Sequence, residues 1–288
     1  MIKLPVWFKQ EIPGEAVLER MGMLCRSNTR TVCREAKCPN ITSCFGEKRL
    51  TFMILGDTCT RNCRFCAVDK SDKVKGLSFD PNEPERIAAV VRELKMDYVV
   101  ITSVTRDDLE DGGAGMFARA VELIHGIDTD IKIELLIPDL QGKISSLKCI
   151  LGARPDVVGH NIETVSRLYQ ELRPEASYEL SLEILSQIKK ISPSVITKSS
   201  IMLGLGEREE EVIDTMRDLR RYQCDILTLG QYLAPSAGHY PVKEFIDVEQ
   251  FKKLERIAVA LGFKAVLSGP LVRSSYRSEE AYREALYA

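Results

Sequence analysis

From residue 50 onward, short and nearly unbroken apolar runs alternate with stretches whose apolar residues recur every three or four positions. The runs at 51–55, 98–102, 131–137, 157–160, 197–203 and 226–231, with a further candidate at 264–268, are too continuous for strands with one wet face. They predict strands buried on both faces. The spacing between them predicts helices over 83–94, 115–125, 141–152, 163–172, 181–191, 209–222 and 248–261. Over 83–94, for example, Ile87, Val90, Val91 and Leu94 share one face. Repeated strand-helix alternation predicts a parallel sheet with outer helices, wound by right-handed crossovers into a barrel or part of one. The alternative is an open doubly wound sheet. Residues 1–50 break the pattern: rich in Cys, Pro, Arg and Asn, they read as an irregular extension held together by whatever the cysteines bind. After residue 268 comes a short C-terminal extension with a helix near 279–286, so the chain divides at 1–50, 51–268 and 269–288.

Composition changes this picture little until cysteine is considered. The 40 basic and 42 acidic residues nearly balance, which argues against nucleic acid as the main partner. No run of about 18 apolar residues spans a membrane. Seven of the nine cysteines lie between Cys25 and Cys66. An odd count in a 288-residue chain, with no leader-like core in Met1 to Lys9, points away from disulfides and toward a reducing cytoplasm. There, clustered cysteines are metal ligands or redox groups.

Cys59, Cys63 and Cys66 follow the first strand with C-x3-C-x2-C spacing. Three thiolates from one compact loop suit three irons of a four-iron, four-sulfur cluster, leaving the fourth iron free to chelate a small molecule. Zinc competes, but a closed zinc site wants a fourth ligand, and the first histidine, His125, lies beyond a strand and a helix. With aromatic Phe65 before its last cysteine, this motif resembles that of the radical S-adenosylmethionine superfamily. The resemblance implies a full or partial (β/α) barrel. It also implies an open iron that binds the amino and carboxylate groups of S-adenosylmethionine, and reductive cleavage to methionine and a hydrogen-abstracting 5′-deoxyadenosyl radical.

Upstream, Cys33, Cys38 and Cys44 form C-x4-C-x5-C, which by spacing alone also admits a zinc knuckle completed by Cys25. Two trios in tandem suggest two clusters. Together with Glu35-Ala-Lys-Cys-Pro-Asn, Gly56-Asp-Thr-Cys-Thr-Arg, Val100-Ile-Thr-Ser-Val-Thr-Arg-Asp-Asp-Leu, His160-Asn-Ile-Glu-Thr-Val, Thr228-Leu-Gly-Gln-Tyr-Leu and Ser268-Gly-Pro-Leu-Val-Arg-Ser-Ser-Tyr, they make the chain resemble the lipoyl synthase family over about residues 17–277. The resemblance implies a partial (β/α)6 barrel of the triose-isomerase kind, with two extensions that hold an auxiliary four-iron cluster. Its ligands would be Cys33, Cys38, Cys44 and, from the Arg-Ser-Ser-Tyr motif, Ser275. A serine oxygen is a poorer ligand for iron than thiolate, which suits a cluster that must come apart.

The implied reaction is radical insertion of two sulfurs, at C6 and C8 of an octanoyl chain on a carrier-domain lysine. It consumes two S-adenosylmethionines and takes sulfur from the auxiliary cluster. Implied partners are octanoylated lipoyl domains of 2-oxoacid dehydrogenases or the glycine-cleavage H protein, a flavodoxin or ferredoxin as electron donor, and an iron-sulfur carrier. Phe65, Asn161, Gly204 and Glu207 are candidates for contact with S-adenosylmethionine, and Asp107 and Arg273 for supporting roles. The plain readings of these residues are a helix cap at His160–Asn161, a turn at Gly204 and a solvated acidic loop at Asp107, Asp108 and Asp111. Arg173 and Lys198 read as salt-bridge residues, His239 as a surface loop residue, and Cys25, Cys149 and Cys224 as bystanders, with Cys149 buried. The chain departs from the family pattern at Gly115-Met116, at Ser278 and at Ser43-Cys44-Phe45, none of which removes a ligand. A methylthiotransferase would carry two clusters without the Arg-Ser-Ser-Tyr motif, and a zinc or redox sensor would carry no catalysis.

Overall fold

A computed structural model describes residues 5, 8, 12–71 and 77–288. Most of Met1 to Lys9, the stretch read for a leader, lies outside the described residues.

Seven parallel strands make one sheet: β1 (Thr51–Ile54), β4 (Tyr98–Ser103), β5 (Lys132–Leu136), β6 (Val157–Gly159), β7 (Ile196–Leu203), β8 (Ile226–Gln231) and β9 (Ala265–Gly269). A two-residue ladder, β2 (Thr58–Cys59) with β3 (Asp69–Lys70), sits outside it. Each strand pairs with the one before it in the sheet order β1-β4-β5-β6-β7-β8-β9, and β9 is not paired with β1 among the described residues. A doubly wound sheet would reverse that order part-way. The winding here runs one way only and yields an open, partial barrel. The outer layer holds α4 (Glu83–Leu94), α5 (Ala114–His125), α6 (Ile144–Gly152), α8 (Tyr178–Ile191), α9 (Glu209–Arg221) and α10 (Val248–Ala260). The unbroken apolar runs are explained by burial on both sides: all residues of β1 and β8 are buried.

Three expectations are corrected. The N-terminal extension is helical, with α1 (Glu15–Arg26), α2 (Val32–Glu35) and α3 (Ile41–Gly46). Val17 and Leu24 of α1 are buried, a sparse apolar stripe that the cysteines and prolines obscure. The helix expected at 163–172 shrinks to a 3-10 turn at Ser166–Leu168 and a single turn, α7 (Tyr169–Leu172). Glu163 instead runs beside β7, with its N–H donating to Ser200 O at 2.9 Å and its carbonyl accepting from Met202 N at 2.8 Å. The helix expected from 141 begins at Ile144, because Leu140 and Gln141 take left-handed conformations and the Asp139 carboxylate accepts from Gln141 N.

The extensions close the barrel's exposed parts. Thr31 bridges antiparallel to Phe52 and covers the edge of β1. The last helix, α11 (Ser278–Tyr287), plugs the end where the strands begin: Ala281, Tyr282 and Ala285 pack on Val157, Ile196, Ile226 and Ala265.

Candidate active site

The chain leaves β1 through a tight turn. Leu55 and Gly56 both take positive φ, and the buried Glu83 carboxylate accepts from Leu55 N at 2.6 Å and Gly56 N at 3.2 Å. Arg106, almost fully buried, donates to Leu55 O and Leu77 O while its guanidinium grips Asp108. The turn delivers residues 59–66 to the end of the barrel where β1 finishes, the end at which barrels of this kind carry their chemistry.

That loop is clamped from four sides. Thr60 N donates to Thr105 O at 3.0 Å, and Arg64 N to Leu172 O at 2.9 Å. From the loop after β8, Tyr240 N donates to Arg64 O at 2.9 Å and the His239 ring meets Cys66 O at 3.1 Å. Arg61 is the central brace. Its Nε and Nη2 reach both oxygens of Asp107, at 2.7 and 2.9 Å, and Nη2 also reaches Asp139 at 2.7 Å. Burial raises the Asp139 carboxyl, but the Arg61 hydrogen bonds bring it below the ordinary range. Paired in this way, a buried charge avoids most of its desolvation penalty.

Cys59, Cys63 and Cys66 stand together in this loop, and the neighbouring cysteines help raise the thiols of Cys63 and Cys66. Burial is the larger cause; it pushes Cys66 up to about 12 and raises Cys63, which the Arg173 guanidinium opposes. Without a cation to take the place of their protons, such thiols stay neutral, and iron is a cation of the right softness. Phe65 is half-buried against the core beside them. Asn161 donates to Glu163 at 3.1 Å, and its carbonyl accepts from Arg173 at 3.2 Å. The Glu163 carboxyl is raised by burial, against the pull of Arg173.

The upstream trio lies off the other end of β1. Cys33, Cys38 and Cys44 line a cavity of about 190 Å³ with Thr51, Tyr98, Val100, Arg273 and Ser275. Thr51 joins its halves: its hydroxyl donates to Ser275 Oγ at 2.7 Å, and Cys33 is hydrogen-bonded by its backbone and side chain. A thiol from residue 33 and a hydroxyl from residue 275 thus meet across one side chain. Asn40 Nδ2 donates to Leu271 O at 2.6 Å and ties the two extensions directly. Burial pushes Cys33 up to about 12 and Cys44 to about 11. Arg273 reaches only the carbonyls of Pro270 and Val272, and has no carboxylate partner among the described residues, although Cys38 lies close by. A half-buried cation beside three thiols and a hydroxyl is poorly satisfied as it stands and suits an anionic group. The donor set at both places therefore fits iron-sulfur clusters. Among the described residues, no three His, Cys, Asp or Glu side chains converge tightly enough to grip a single metal ion.

Several predicted residues have protein partners instead of open space. Both oxygens of Glu207 accept backbone N–H groups, from Gly204 at 2.6 Å and Leu205 at 2.8 Å. Gly204 has φ +93, and a Cβ there would lie 2.3 Å from Gln231 Nε2 and 2.4 Å from Glu244 O, so the approach that demands glycine is by the protein itself. Asp111 caps Gly113 N and Gly115 N at the start of α5. Cys149 is exposed, contrary to expectation, because Leu147, Ile150 and Leu151 carry the inward face of α6. Cys25 is exposed against Arg34, and Cys224 is buried. Sequence reading passed over Arg61, Asp139 and Thr51, whose only signal was a charged residue inside, or a polar residue flanking, an otherwise apolar or cysteine-bearing segment.

Among known proteins, residues 53–219 match the family model of the radical SAM superfamily. A lipoyl synthase of Caldicellulosiruptor saccharolyticus is 48% identical over 279 residues, 96% of this chain and 97% of that protein. One from Desulfotalea psychrophila is 49% identical over 282 residues, 98% of this chain and 93% of that protein. This chain belongs to the lipoyl synthase family. It is a radical SAM enzyme, with S-adenosylmethionine and a four-iron cluster as cofactors. Solved structures agree at the level of fold. A maturase of the FeFe-hydrogenase superposes with TM-score 0.59 at 13% identity, over 82% of this chain and 54% of that one. Methylornithine synthase gives 0.54 at 14%, over 75% and 70%. No helix among the described residues is long and apolar enough to cross a membrane.

Proposed function

We propose that this protein inserts two sulfur atoms, at C6 and C8, into an octanoyl chain carried on a protein lysine, with division of labour between its two cysteine trios. Cys59, Cys63 and Cys66 hold the cluster that binds S-adenosylmethionine. Cys33, Cys38, Cys44 and Ser275 hold a second, sulfur-donating cluster. When bound, the first supplies the electron for reductive cleavage of S-adenosylmethionine and the second supplies sulfide.

The chain's own residues do the rest. Arg61, with Asp107 and Asp139, keeps the first loop rigid, while Arg173 balances charge beside Cys63. Phe65 and Asn161 face the cofactor's side of the barrel mouth; Gly204 and Glu207 shape the wall behind it. Arg273 neutralises charge at the second cluster. Residues 1–50 and 269–288 act as one unit around that cluster, and 51–268 as the barrel. The substrates are octanoylated lipoyl domains or the glycine-cleavage H protein; a flavodoxin or ferredoxin supplies electrons, an iron-sulfur carrier restores the spent cluster, and the compartment is the cytoplasm.

The observation that carries this reading is Thr51, whose side chain touches both Cys33 and Ser275, residues from the two ends of the chain that line one cavity. Iron and acid-labile sulfide assays on anaerobically reconstituted protein should find about eight of each per chain, the content of two four-iron clusters. About four, or zinc alone, contradicts it. Incubation with an octanoyl-lysine peptide, S-adenosylmethionine and reductant should add two sulfurs by mass.

A further inference from the structure

Inside the barrel, just above the apolar plug, lies a polar cluster that the proposed chemistry does not use. Lys198 of β7 and Glu134 of β5 form an ion pair at 2.8 Å, each side chain only 3% exposed. Lys198 also donates to Ser278 Oγ at 2.7 Å, and Ser278 Oγ to the same Glu134 oxygen at 3.1 Å. The other Glu134 oxygen accepts from Tyr98 OH at 2.7 Å. Three strands and the first residue of α11 are thereby joined through one carboxylate. Ser278 stands three positions after Ser275, across a short turn in which Tyr276 N donates to Arg273 O and Arg277 is left-handed.

We infer that the Lys198–Glu134 pair, acting through Ser278, is a pin that positions Ser275 at the cysteine-lined cavity. The inference rests on the reading of that cavity as the second cluster site. Beneath the pin, α11 contacts the barrel mainly through alanines and one tyrosine. Burial of small apolar side chains is non-directional and lets a helix slide or turn at low cost. A buried ion pair adds little net stability but is directional, so its contribution is geometry. Ser275 lies in the turn closed by Tyr276 N on Arg273 O at 2.9 Å, only three residues from Ser278, so a shift of Ser278 is passed to Ser275 through an ordered segment. Tyr98 and Ser278, the pin's hydrogen-bond partners, also line the cavity itself.

The test uses the full chain. Ser278→Ala removes one hydroxyl and keeps the ion pair. Lys198→Met with Glu134→Leu replaces the pair by apolar side chains of similar size, a change that folded proteins tolerate. In the metal-free chain, amide hydrogen exchange over 273–278 should quicken at least about fivefold in Ser278→Ala, the worth of a single one of the two hydrogen bonds its hydroxyl makes, and more strongly still in the double variant. In the reconstituted enzyme, loss of the upstream cluster's iron to a chelator should quicken in the same order, while 5′-deoxyadenosine formation stays within about twofold. A double variant that melts as the parent does, with exchange and iron loss unchanged, overturns the pin. Ser275→Ala serves as the control for the underlying reading. If it leaves iron loss unaltered, Ser275 is no ligand, and the exchange measurement alone then upholds or overturns the pin.

Discussion

The two cysteine sites sit off opposite ends of the same strand and are built on opposite principles. The loop of Cys59, Cys63 and Cys66 is one continuous segment, clamped by backbone bonds to residues 105 and 172 and by a guanidinium shared between two carboxylates. The cavity of Cys33, Cys38, Cys44 and Ser275 is assembled from both chain ends and held by contacts between residues far apart in the sequence: Thr51 to Ser275, Asn40 to Leu271, Arg49 to Glu280, and Ser278 to Lys198 and Glu134. On the proposed reading, the first is braced as a site that must survive every turnover, and the second, with ligands drawn from both chain ends, is the one that gives up its sulfur.

The comparison breaks most sharply at Cys63. Cys63→Ala should abolish cleavage of S-adenosylmethionine, measured as 5′-deoxyadenosine, and with it all sulfur insertion. Residual cleavage near the parent rate would refute the assignment of the first loop. Ser275→Ala should act on one site only. Cleavage persists, while sulfur inserted per 5′-deoxyadenosine falls by about tenfold or more, the scale on which metal-site contacts act. Equal loss of both products would erase the distinction between the sites.

A third contrast is in pH. Burial, and then Arg173, hold His160 down to about 4, where it stays neutral beneath the first loop. An unfolded histidine titrates near 6.5, so between these values the unfolded chain binds the extra proton. Folding stability is therefore intact above about 6.5 and declines as pH falls toward 4. Denaturant unfolding of the metal-free chain should lose about 2 kcal/mol between pH 7 and pH 5 from this group, a loss that His160→Gln should largely remove. A slope unchanged by the substitution would show that other groups govern it. The smallest effect belongs to the tie between the extensions. Asn40→Ala should cost about 1 kcal/mol, the worth of one hydrogen bond, and speed iron loss from the second site only. Equal acceleration at both sites would argue against their independence.

Much of this was legible beforehand. The seven strands fall where the nearly continuous apolar runs lie, because a strand buried on both faces carries few polar positions, and those it carries, such as Lys198 and Glu134, are paired inside. The cysteine spacings stood out for a similar reason: a short loop must carry its ligands at close intervals. Less legible was the segment after β6, whose apolar spacing suits a helix but whose Glu163 is held along β7 by two backbone bonds. Nor did α1 stand out, with few buried positions among its twelve residues.

By itself, the sequence determined the alternation of strands and helices and the first cysteine loop, since both are written in residues near one another along the chain, and the family, which is written in short motifs spread over about residues 17–277. Only the tertiary structure decided what meets across long separations. It set Arg61 between Asp107 and Asp139, Ser275 against Thr51, and Lys198 beside Glu134 and Ser278. The physical reason is that buried charge and hydrogen bonding are satisfied by whichever partners the packed barrel brings within about 3 Å, and that choice leaves no periodic trace along the chain.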